Sequence, residues 1–292
     1  MTNQTFGNAL RTAISGRKIT CFLGVYDVFS ASLAARHYDA IFVSGFGFSA
    51  SHYGLPDIGF ITWSDMVAFV QRLRLVLPTH HILVDIDDGY GDPEVAAHVV
   101  SSLARAGASG VVLEDQKRPR RCGHVGGKQI MELDEFLVKL DRVLKARGNM
   151  FVVARTDATD DAERLRRAQA FDATEADAVL VDGIESLELL PRIKSRIAKP
   201  LMFNQIAGGK SPACSLGQLM EAGVSLVNYS TPCLFAAQEA IEGALQHLKQ
   251  MDGRLPVSAM ANLSACNARL SDSLARRDQQ PPFRTPSTQA VA

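Results

Sequence analysis

The 292-residue sequence predicts a (β/α)8 TIM barrel with additional C-terminal helices. Eight short apolar runs alternate with longer amphipathic segments, and no second composition regime interrupts the alternation. Polar residues recur where the apolar runs end, as expected when parallel strands point at one face of a barrel. An open, doubly wound sheet is the alternative, because a strand count from sequence is easily wrong by one or two.

The candidate strands are short runs rich in Val, Ile, Leu and Phe. They are apolar on both faces, as buried parallel strands are. In chain order the runs are 20–25, 40–45, 81–87, 110–115, 150–156, 177–183, 200–205 and 225–230.

Helix-length amphipathic segments lie between the strands, and Gly107 and Gly148 close two of them as helix stop signals. A long helical segment follows residue 232, and the segment 255–277 is less regular. The last residues are rich in proline and polar residues, which is typical of disorder. We therefore divide the chain into a barrel domain (1–250), a C-terminal helical extension (251–276) and a disordered tail (277–292).

The overall charge excludes several classes of partner. The 31 basic and 31 acidic residues cancel, so neither nucleic acid nor an anionic membrane is expected as a partner. No run is long and apolar enough for a membrane span, and the N-terminus lacks a signal-peptide pattern. The five cysteines are odd in number and contain no CxxC motif, which favours free thiols and a cytoplasmic enzyme.

Acidic residues collect at the ends of neighbouring predicted strands. Asp85 and Asp87 are two positions apart in one strand, so their side chains should share a face, and Glu114 ends the next strand. Such an all-oxygen cluster suits a hard cation, with Mg²⁺ favoured and Mn²⁺ as the alternative. Capping of the following helix explains Asp92 but not two acids inside an apolar strand.

The loop EDQKRPRRCGHVGGK (114–128) combines a lone thiol with bases and glycines. Cys122 lies near His124, Arg120 and Arg121, which predicts a lowered thiol pKa and proton transfer near neutral pH. Its glycines would allow the loop to close over a substrate as a lid.

Four motifs resemble one enzyme family. They are SGFGFSASHYGLPDIGF (44–60), VDIDDGYGD (84–92), LEDQ…PRRCGH..GK (113–128) and ARTDA (154–158). Together they resemble the isocitrate lyase and phosphoenolpyruvate mutase superfamily over residues 8–250. The similarity is strongest to its short members: 2-methylisocitrate lyase, petal-death and dimethylmalate lyase-like enzymes, and carboxyphosphoenolpyruvate mutase. The resemblance implies a Mg²⁺-dependent barrel, as a dimer or a tetramer that exchanges C-terminal helices, acting on a small di- or tricarboxylate.

The resemblance also implies a role for each matching residue. Asp85 would hold Mg²⁺, with Asp87 and Glu114 contacting it directly or through water, and Cys122 would protonate the carbanionic product. Arg155 would stabilise the developing negative charge. The substrate carboxylates would be bound by Ser44, Gly45, Gly47, Gly123, His124 and Asn204. Asp57, also in the predicted substrate site, would touch the metal or substrate side of the pocket.

Three positions depart from the family pattern. Arg120 stands where the lyases have a lysine, Asp182 replaces a glutamate, and Ala207 stands where the lyases have a glutamate. Asp182 still belongs to the predicted substrate site, and Arg120 to the catalytic group. We therefore expect a carbon–carbon lyase with a substrate other than 2-methylisocitrate. A phosphonomutase and a non-catalytic diacid-binding protein are the alternatives.

Overall fold

Eight parallel strands form a closed barrel in chain order in the computed structural model, which describes residues 5–16, 18–255 and 260–279. The last strand pairs with the first, with Thr20 opposite Leu226, and this closure excludes the open sheet. The predicted TIM barrel is confirmed. The strands are β1 (Thr20–Val25), β2 (Ala40–Val43), β3 (His81–Asp85), β4 (Gly110–Glu114), β5 (Phe151–Thr156), β6 (Ala178–Val181), β7 (Leu201–Gln205) and β8 (Val224–Tyr229).

Helices separate the strands and cover the outside of the barrel. They are α1 (Phe6–Ile14), α2 (Val28–Ala34), α3 (Gly45–Phe48), α4 (Trp63–Val76), α5 (Pro93–Ala106), α6 (Leu133–Ala146), α7 (Asp161–Asp172), α8 (Leu189–Lys194), α9 (Leu216–Glu221), α10 (Pro232–Gln250) and α11 (Leu263–Arg277). A π-helical turn, Ser49–Tyr53, follows α3. Gly107 ends α5 in the left-handed conformation, as the sequence predicted.

Three strands end two residues earlier than predicted, and the difference matters for the site. The run 81–87 is a strand only to Asp85, and Asp87 follows in a left-handed conformation with φ 49°. The prediction that both acids lie on one strand face is therefore wrong. The run 40–45 stops at Val43, because Ser44 caps α3. The run 177–183 is a strand over Ala178–Val181 alone.

Helix α1 closes the N-terminal end of the barrel. Its Leu10 and Ile14 pack with Phe22 and Phe42 in the barrel interior. The Arg11 guanidinium donates to the Met150 carbonyl at 2.8 Å and pairs with Asp177 at 2.7 Å. This end of the barrel is thus a packed plug, and the open end lies at the carboxyl termini of the strands.

The C-terminal segments are helical and largely exposed. The part of the chain predicted to be less regular contains α11, which begins where the Asn262 side chain accepts the Ala265 N–H at 2.8 Å. Most of the predicted tail, residues 280–292, lies outside the described residues. Among the helices that the structure describes, none combines the length and the apolar character of a membrane span.

Candidate active site

Four carboxylates meet at the carboxyl ends of β3 and β4. Asp85 is the last residue of β3, Glu114 is the last residue of β4, and Asp57 comes from the loop before α4. Asp87 joins them from the turn after β3. None of the four is more than 7% exposed. A fixed cluster of buried carboxylates requires positive charge beside it.

Arg120 supplies part of that charge, because its guanidinium lies among three of the acids. Nη1 contacts Asp57, Nη2 lies 3.1 Å from Asp87 Oδ1, and Nε lies 3.0 Å from Glu114 Oε1. Burial lowers the pKa of Arg120, but Asp87 and Glu114 outweigh this effect and raise it well above its ordinary value. Arg120 therefore stays positively charged and forms ion pairs with all three acids.

Asp85 differs from the other three acids, since no ion pair of Asp85 occurs within the described part of the chain. Its Oδ1 accepts a hydrogen bond of 3.4 Å from the Asp87 N–H. Its Oδ2 faces Gly45, where a Cβ atom would lie 3.6 Å away. Burial raises the pKa of Asp85, Asp87 and Glu114, and the neighbouring arginines oppose this rise only in part.

These residues fit a hard divalent cation. The donors are carboxylate oxygens, which Mg²⁺ prefers, and two guanidinium groups leave the cluster with excess negative charge. Residues 5–16, 18–255 and 260–279 contain no set of three or more His, Cys, Asp or Glu side chains arranged to hold an ion directly. The arrangement suits one direct ligand, Asp85, with Asp87 and Glu114 reaching the ion through water. The predicted metal ligands remain a prediction.

Arg155, on β5, is the second cation of the site. Its Nη2 lies 2.7 Å from Asp182 Oδ2 and 3.3 Å from Glu114 Oε2, and its Nε donates to Asp157 at 2.9 Å. Burial lowers the pKa of Arg155, but Asp157 and Asp182 reverse this and raise it well above normal. Arg155 thus joins the acid cluster to the other half of the barrel mouth.

Residues 115–131, which we call the lid, cover the site. Paired backbone groups close its base: the Met131 N–H donates to the Asp115 carbonyl at 2.7 Å, and the Lys117 N–H donates to Gln129 at 2.8 Å. At its tip, a Cβ atom on Gly123 would collide with Asp182 and Arg155. Only glycine therefore allows the tip to sit this deeply.

Lys128 ties the lid tip to the barrel. Its Nζ donates to the Gly123 carbonyl at 2.6 Å and to Asp157 Oδ1 at 2.8 Å, and the side chain is 3% exposed. Burial raises the pKa of Asp157, but Arg155 and Lys128 outweigh it and lower the pKa. One carboxylate thus receives a cation from the barrel and a cation from the lid.

Cys122 lies in the site, but its pKa shift is opposite to the prediction. Burial raises the pKa of its thiol to about 11, although a hydrogen bond with the His124 backbone and the charge of Arg155 oppose the rise. The predicted lowering by the neighbouring bases is wrong, because Arg120 is already engaged with acids. Cys122 is therefore a protonated thiol at neutral pH.

His124 bridges the lid to the loop after β7. Its Nδ1 accepts the Lys210 N–H at 3.0 Å, so the ring hydrogen lies on Nε2, which is 3.3 Å from Asp182 Oδ1. Asn204 donates to the same carboxylate oxygen at 3.0 Å. Burial raises the pKa of Asp182, but Arg155 and His124 outweigh it and lower the pKa.

Most predicted site residues line one cavity of about 20 Å³, which holds about one water. A diacid can enter only when the lid moves. Gly47 lies away from this cavity: its N–H donates to Ser44 Oγ at 3.1 Å, and a Cβ atom would press on Tyr26 at 3.2 Å. The predicted residues that line the cavity are Ser44, Asp57, Asp85, Arg120, Cys122, Gly123, His124, Arg155, Asp182 and Asn204.

A sequence model of phosphoenolpyruvate phosphomutase matches residues 10–249. The chain belongs to the phosphoenolpyruvate phosphomutase family. The predicted superfamily is thereby confirmed.

Relatives of this family include lyases. The chain is 32% identical to a 2-methylisocitrate lyase of Aeropyrum pernix over 248 residues, which cover 84% of this chain and 80% of the relative. The crystal structure of a 2,3-dimethylmalate lyase, a member of the same superfamily, is similar with a TM-score of 0.87 at 27% identity, covering 93% and 94% of the two chains. An oxaloacetate acetylhydrolase bound to 3,3-difluorooxaloacetate gives a TM-score of 0.83 at 27% identity, covering 96% and 99%. The prediction of an enzyme of this superfamily is confirmed by these relatives.

Several residues at this site had no role predicted from the sequence. Asp157 and Lys128 lie inside the recognised motifs, and their charge could have indicated a pair. Ser230 follows β8 and donates to Asn204 Oδ1 at 2.7 Å, while Asn228 donates to Ser230 at 2.7 Å. These two bonds fix the direction of the Asn204 amide. The polar end of the eighth predicted strand was the available signal for them.

Proposed function

We propose that this chain is a Mg²⁺-dependent carbon–carbon lyase acting on a small, alkyl-substituted 2-hydroxy dicarboxylate. Its products would be a 2-oxo acid and a second carboxylic acid. The observation that carries the proposal is the meeting of a cation-free carboxylate, a buried protonated thiol and a buried arginine at one barrel mouth. Relatives named 2-methylisocitrate lyase and 2,3-dimethylmalate lyase support it.

Asp85 would hold the ion directly, with Asp87 and Glu114 behind it, and Mn²⁺ could replace Mg²⁺. A bound ion would withdraw electron density from the substrate oxygens. Arg155 faces the same space and would stabilise negative charge that develops when the carbon–carbon bond breaks. Both effects are stronger in a small buried cavity, such as the one beneath the lid, than in bulk water.

Cys122 would supply the proton that ends the reaction. The bond electrons pass to the departing carbon, and the thiol protonates it and becomes a thiolate. The hydroxyl proton must go to a carboxylate or to water, because Arg120 stays charged and cannot act as a base. Gly123 and His124 would bring the second substrate carboxylate into contact with the lid.

The three departures argue against 2-methylisocitrate as the substrate. Arg120 removes a possible base, and Ala207 removes a charged group beside the site. Asp182 is already bound by Arg155, His124 and Asn204. A different 2-hydroxy or 2-oxo diacid fits these changes better.

A substrate screen tests the function directly. Purified enzyme with Mg²⁺ or Mn²⁺ would be given malate, alkylmalates, citramalate, oxaloacetate and 2-methylisocitrate, and 2-oxo acid release would be followed. We expect turnover of at least one alkyl-substituted diacid. Cys122→Ser should lose most of this turnover and keep its metal binding. Ordinary turnover of 2-methylisocitrate, or a fully active Cys122→Ser enzyme, would contradict the assignment.

The screen, extended with a phosphoenolpyruvate-like substrate, separates the alternatives. The family also contains a carboxyvinyl-carboxyphosphonate phosphorylmutase, 31% identical over 246 residues, and a carbon–phosphorus product seen by ³¹P NMR would identify a mutase. Tight diacid binding without any turnover would identify a non-catalytic relative.

We also infer a homo-oligomer, a dimer or a tetramer, that works in the cytoplasm. Large apolar side chains are exposed on α10 and α11, including Ile241 at 58%, Leu245 at 61% and Leu274 at 64%. Burial of such residues between subunits is the usual way to cover them. Light scattering on the purified protein would give the subunit number.

A further inference from the structure

A second cavity adjoins the active-site cavity at the ends of β7 and β8. Its volume is about 260 Å³, and Ile206 lines both cavities. On the β8 side, Ser230 lines the active-site cavity and its neighbour Thr231 lines the second cavity. The two spaces are therefore divided by Ile206 and by the end of β8.

The second cavity has an uncharged lining in the described part of the chain. No Asp, Glu, Lys, Arg or His among the described residues lines it. Its apolar walls come from Ile206, Ala207, Ala213, Tyr229 and Pro232. A carboxylate placed there would lose its hydration without gaining a cation, which is costly.

The polar side chains of the cavity wall are uncharged, and they are Gln205, Ser211, Tyr229 and Thr231. Gln205 Oε1 is already engaged, because it accepts the backbone N–H of Cys214 at 3.2 Å and its thiol at 3.1 Å. These bonds connect β7 to the loop that follows it. The wall therefore offers a ligand apolar contacts and uncharged polar groups.

The two cavities differ in volume, and only the second has room for a substrate group while the lid is closed. The active-site cavity has about 20 Å³ under the lid, whereas the second cavity keeps about 260 Å³. At about 30 Å³ per water-sized group, the second cavity has room for on the order of eight such groups. The second cavity keeps this volume while the lid covers the active-site cavity.

We propose that this second cavity binds the uncharged alkyl substituent of the substrate. The inference rests on the proposed lyase function and names the substrate class: malate-type diacids with an alkyl group of roughly three to six carbons, a size set by the water-sized volume above. The two carboxylates stay in the charged site, and the alkyl group passes Ile206. Ala207 lies in this wall, where the glutamate of the lyases would bring charge to an uncharged cavity.

The experiment compares malate with 3-propylmalate in three enzymes. We expect kcat/KM of the original enzyme to be at least about tenfold higher for 3-propylmalate, since a well-placed methylene is worth about tenfold or more. Ala213→Leu fills the cavity and should lower kcat/KM for 3-propylmalate by about tenfold, with malate changed less than about twofold. Ala198→Leu is the matched control, because Ala198 is exposed at the opposite end of β7. It should change neither value.

The outcomes distinguish the two proposals. If malate is cleaved as well as 3-propylmalate, or if Ala213→Leu affects both substrates equally or neither, the cavity is not the alkyl subsite and the lyase function stands. If no diacid releases a 2-oxo acid, the lyase function fails and the subsite fails with it. Selective loss of 3-propylmalate turnover in Ala213→Leu alone supports the subsite.

Discussion

At the scale of single residues, charge and burial decide what each group can do. The Arg120 guanidinium is held by three acids, which leaves Asp85 as the carboxylate that faces the cavity without an ion pair among the described residues. Cys122 lies in the same pocket and keeps its proton, because burial opposes the thiolate. The pocket therefore places the proposed metal ligand, Asp85, and the proposed proton donor, Cys122, around the same cavity.

The thiol gives a prediction about pH. Its pKa is raised to about 11, so the protonated form, which is the donor, persists below that pH and is lost only above it. We expect kcat, which reports the substrate complex, to show no alkaline loss caused by this thiol up to about pH 10. A kcat profile on the preferred diacid checks this. An alkaline decrease centred at pH 8 to 9 that Cys122→Ser abolishes would contradict the protonated thiol.

The free carboxylate gives a prediction about metal binding. Asp85→Asn should weaken Mn²⁺ binding by about tenfold or more, because it removes the one carboxylate proposed as a direct ligand. Calorimetry or the electron paramagnetic resonance of bound Mn²⁺ measures this without turnover. Asp92→Asn is the control: Asp92 caps α5, and asparagine caps a helix equally well. Unchanged Mn²⁺ affinity in Asp85→Asn would refute the assignment.

At the scale of elements, buried polar contacts connect the lid to the barrel. Near its middle, Arg120 forms ion pairs with three acids of the barrel mouth. Lys128 joins the lid tip to Asp157, and His124 joins it to the loop after β7. Local contacts of this kind open at lower free energy than the core does. We therefore expect substrate entry to break the contacts of the lid tip first.

Removing one contact should loosen the lid. Lys128→Met leaves Asp157 without its second cation and the Gly123 carbonyl without its donor. We expect amide hydrogen exchange in residues 115–131 to become at least about fivefold faster, as a lost buried contact of about 1–3 kcal/mol implies. KM should rise and the barrel helices should exchange as before.

Lys145→Met is the matched control for this experiment. Lys145 pairs with Asp141 on the surface of α6, where its side chain is 69% exposed. Such exposed pairs contribute little. Equal exchange in the lid of both variants would show that Lys128 does not hold the lid.

At the scale of the whole molecule, stability and chemistry occupy opposite ends of the barrel. The amino-terminal end is plugged by α1, whose Leu10 is fully buried with Phe22 and Leu83. The carboxyl-terminal end carries the buried charges. Because the plug lies at the far end, changes there should affect unfolding without altering the site.

A cavity in the plug tests this separation. Leu10→Ala should lower the free energy of unfolding by about 2–5 kcal/mol, since it leaves a void in a packed core. Leu75→Ala, at a residue 55% exposed on α4, should have a much smaller effect. Denaturant unfolding measures both. Activity of the folded Leu10→Ala enzyme should stay close to that of the original, and a large loss of kcat would show that the two ends are coupled.

The sequence by itself determined the barrel and most of the site. Short apolar runs that alternate regularly with helix-length segments indicate buried parallel strands. The residues that end these strands must meet at one face of the barrel. Ser44, Asp85, Arg155 and Asn204 were all placed at that mouth in this way, whereas Asp57 was assigned from the family resemblance. Local pattern was sufficient here because strand position alone decides which side chains converge.

Only the tertiary structure decided how the charges pair. The sequence placed Arg120 beside Cys122 and suggested a reactive thiolate, whereas folding brings Asp57, Asp87 and Glu114 to the guanidinium and buries the thiol. Ion pairing and burial depend on distances between residues far apart in the chain. The direction of a pKa shift depends on the burial of the group and on all nearby charges, and the order of residues along the chain does not give these.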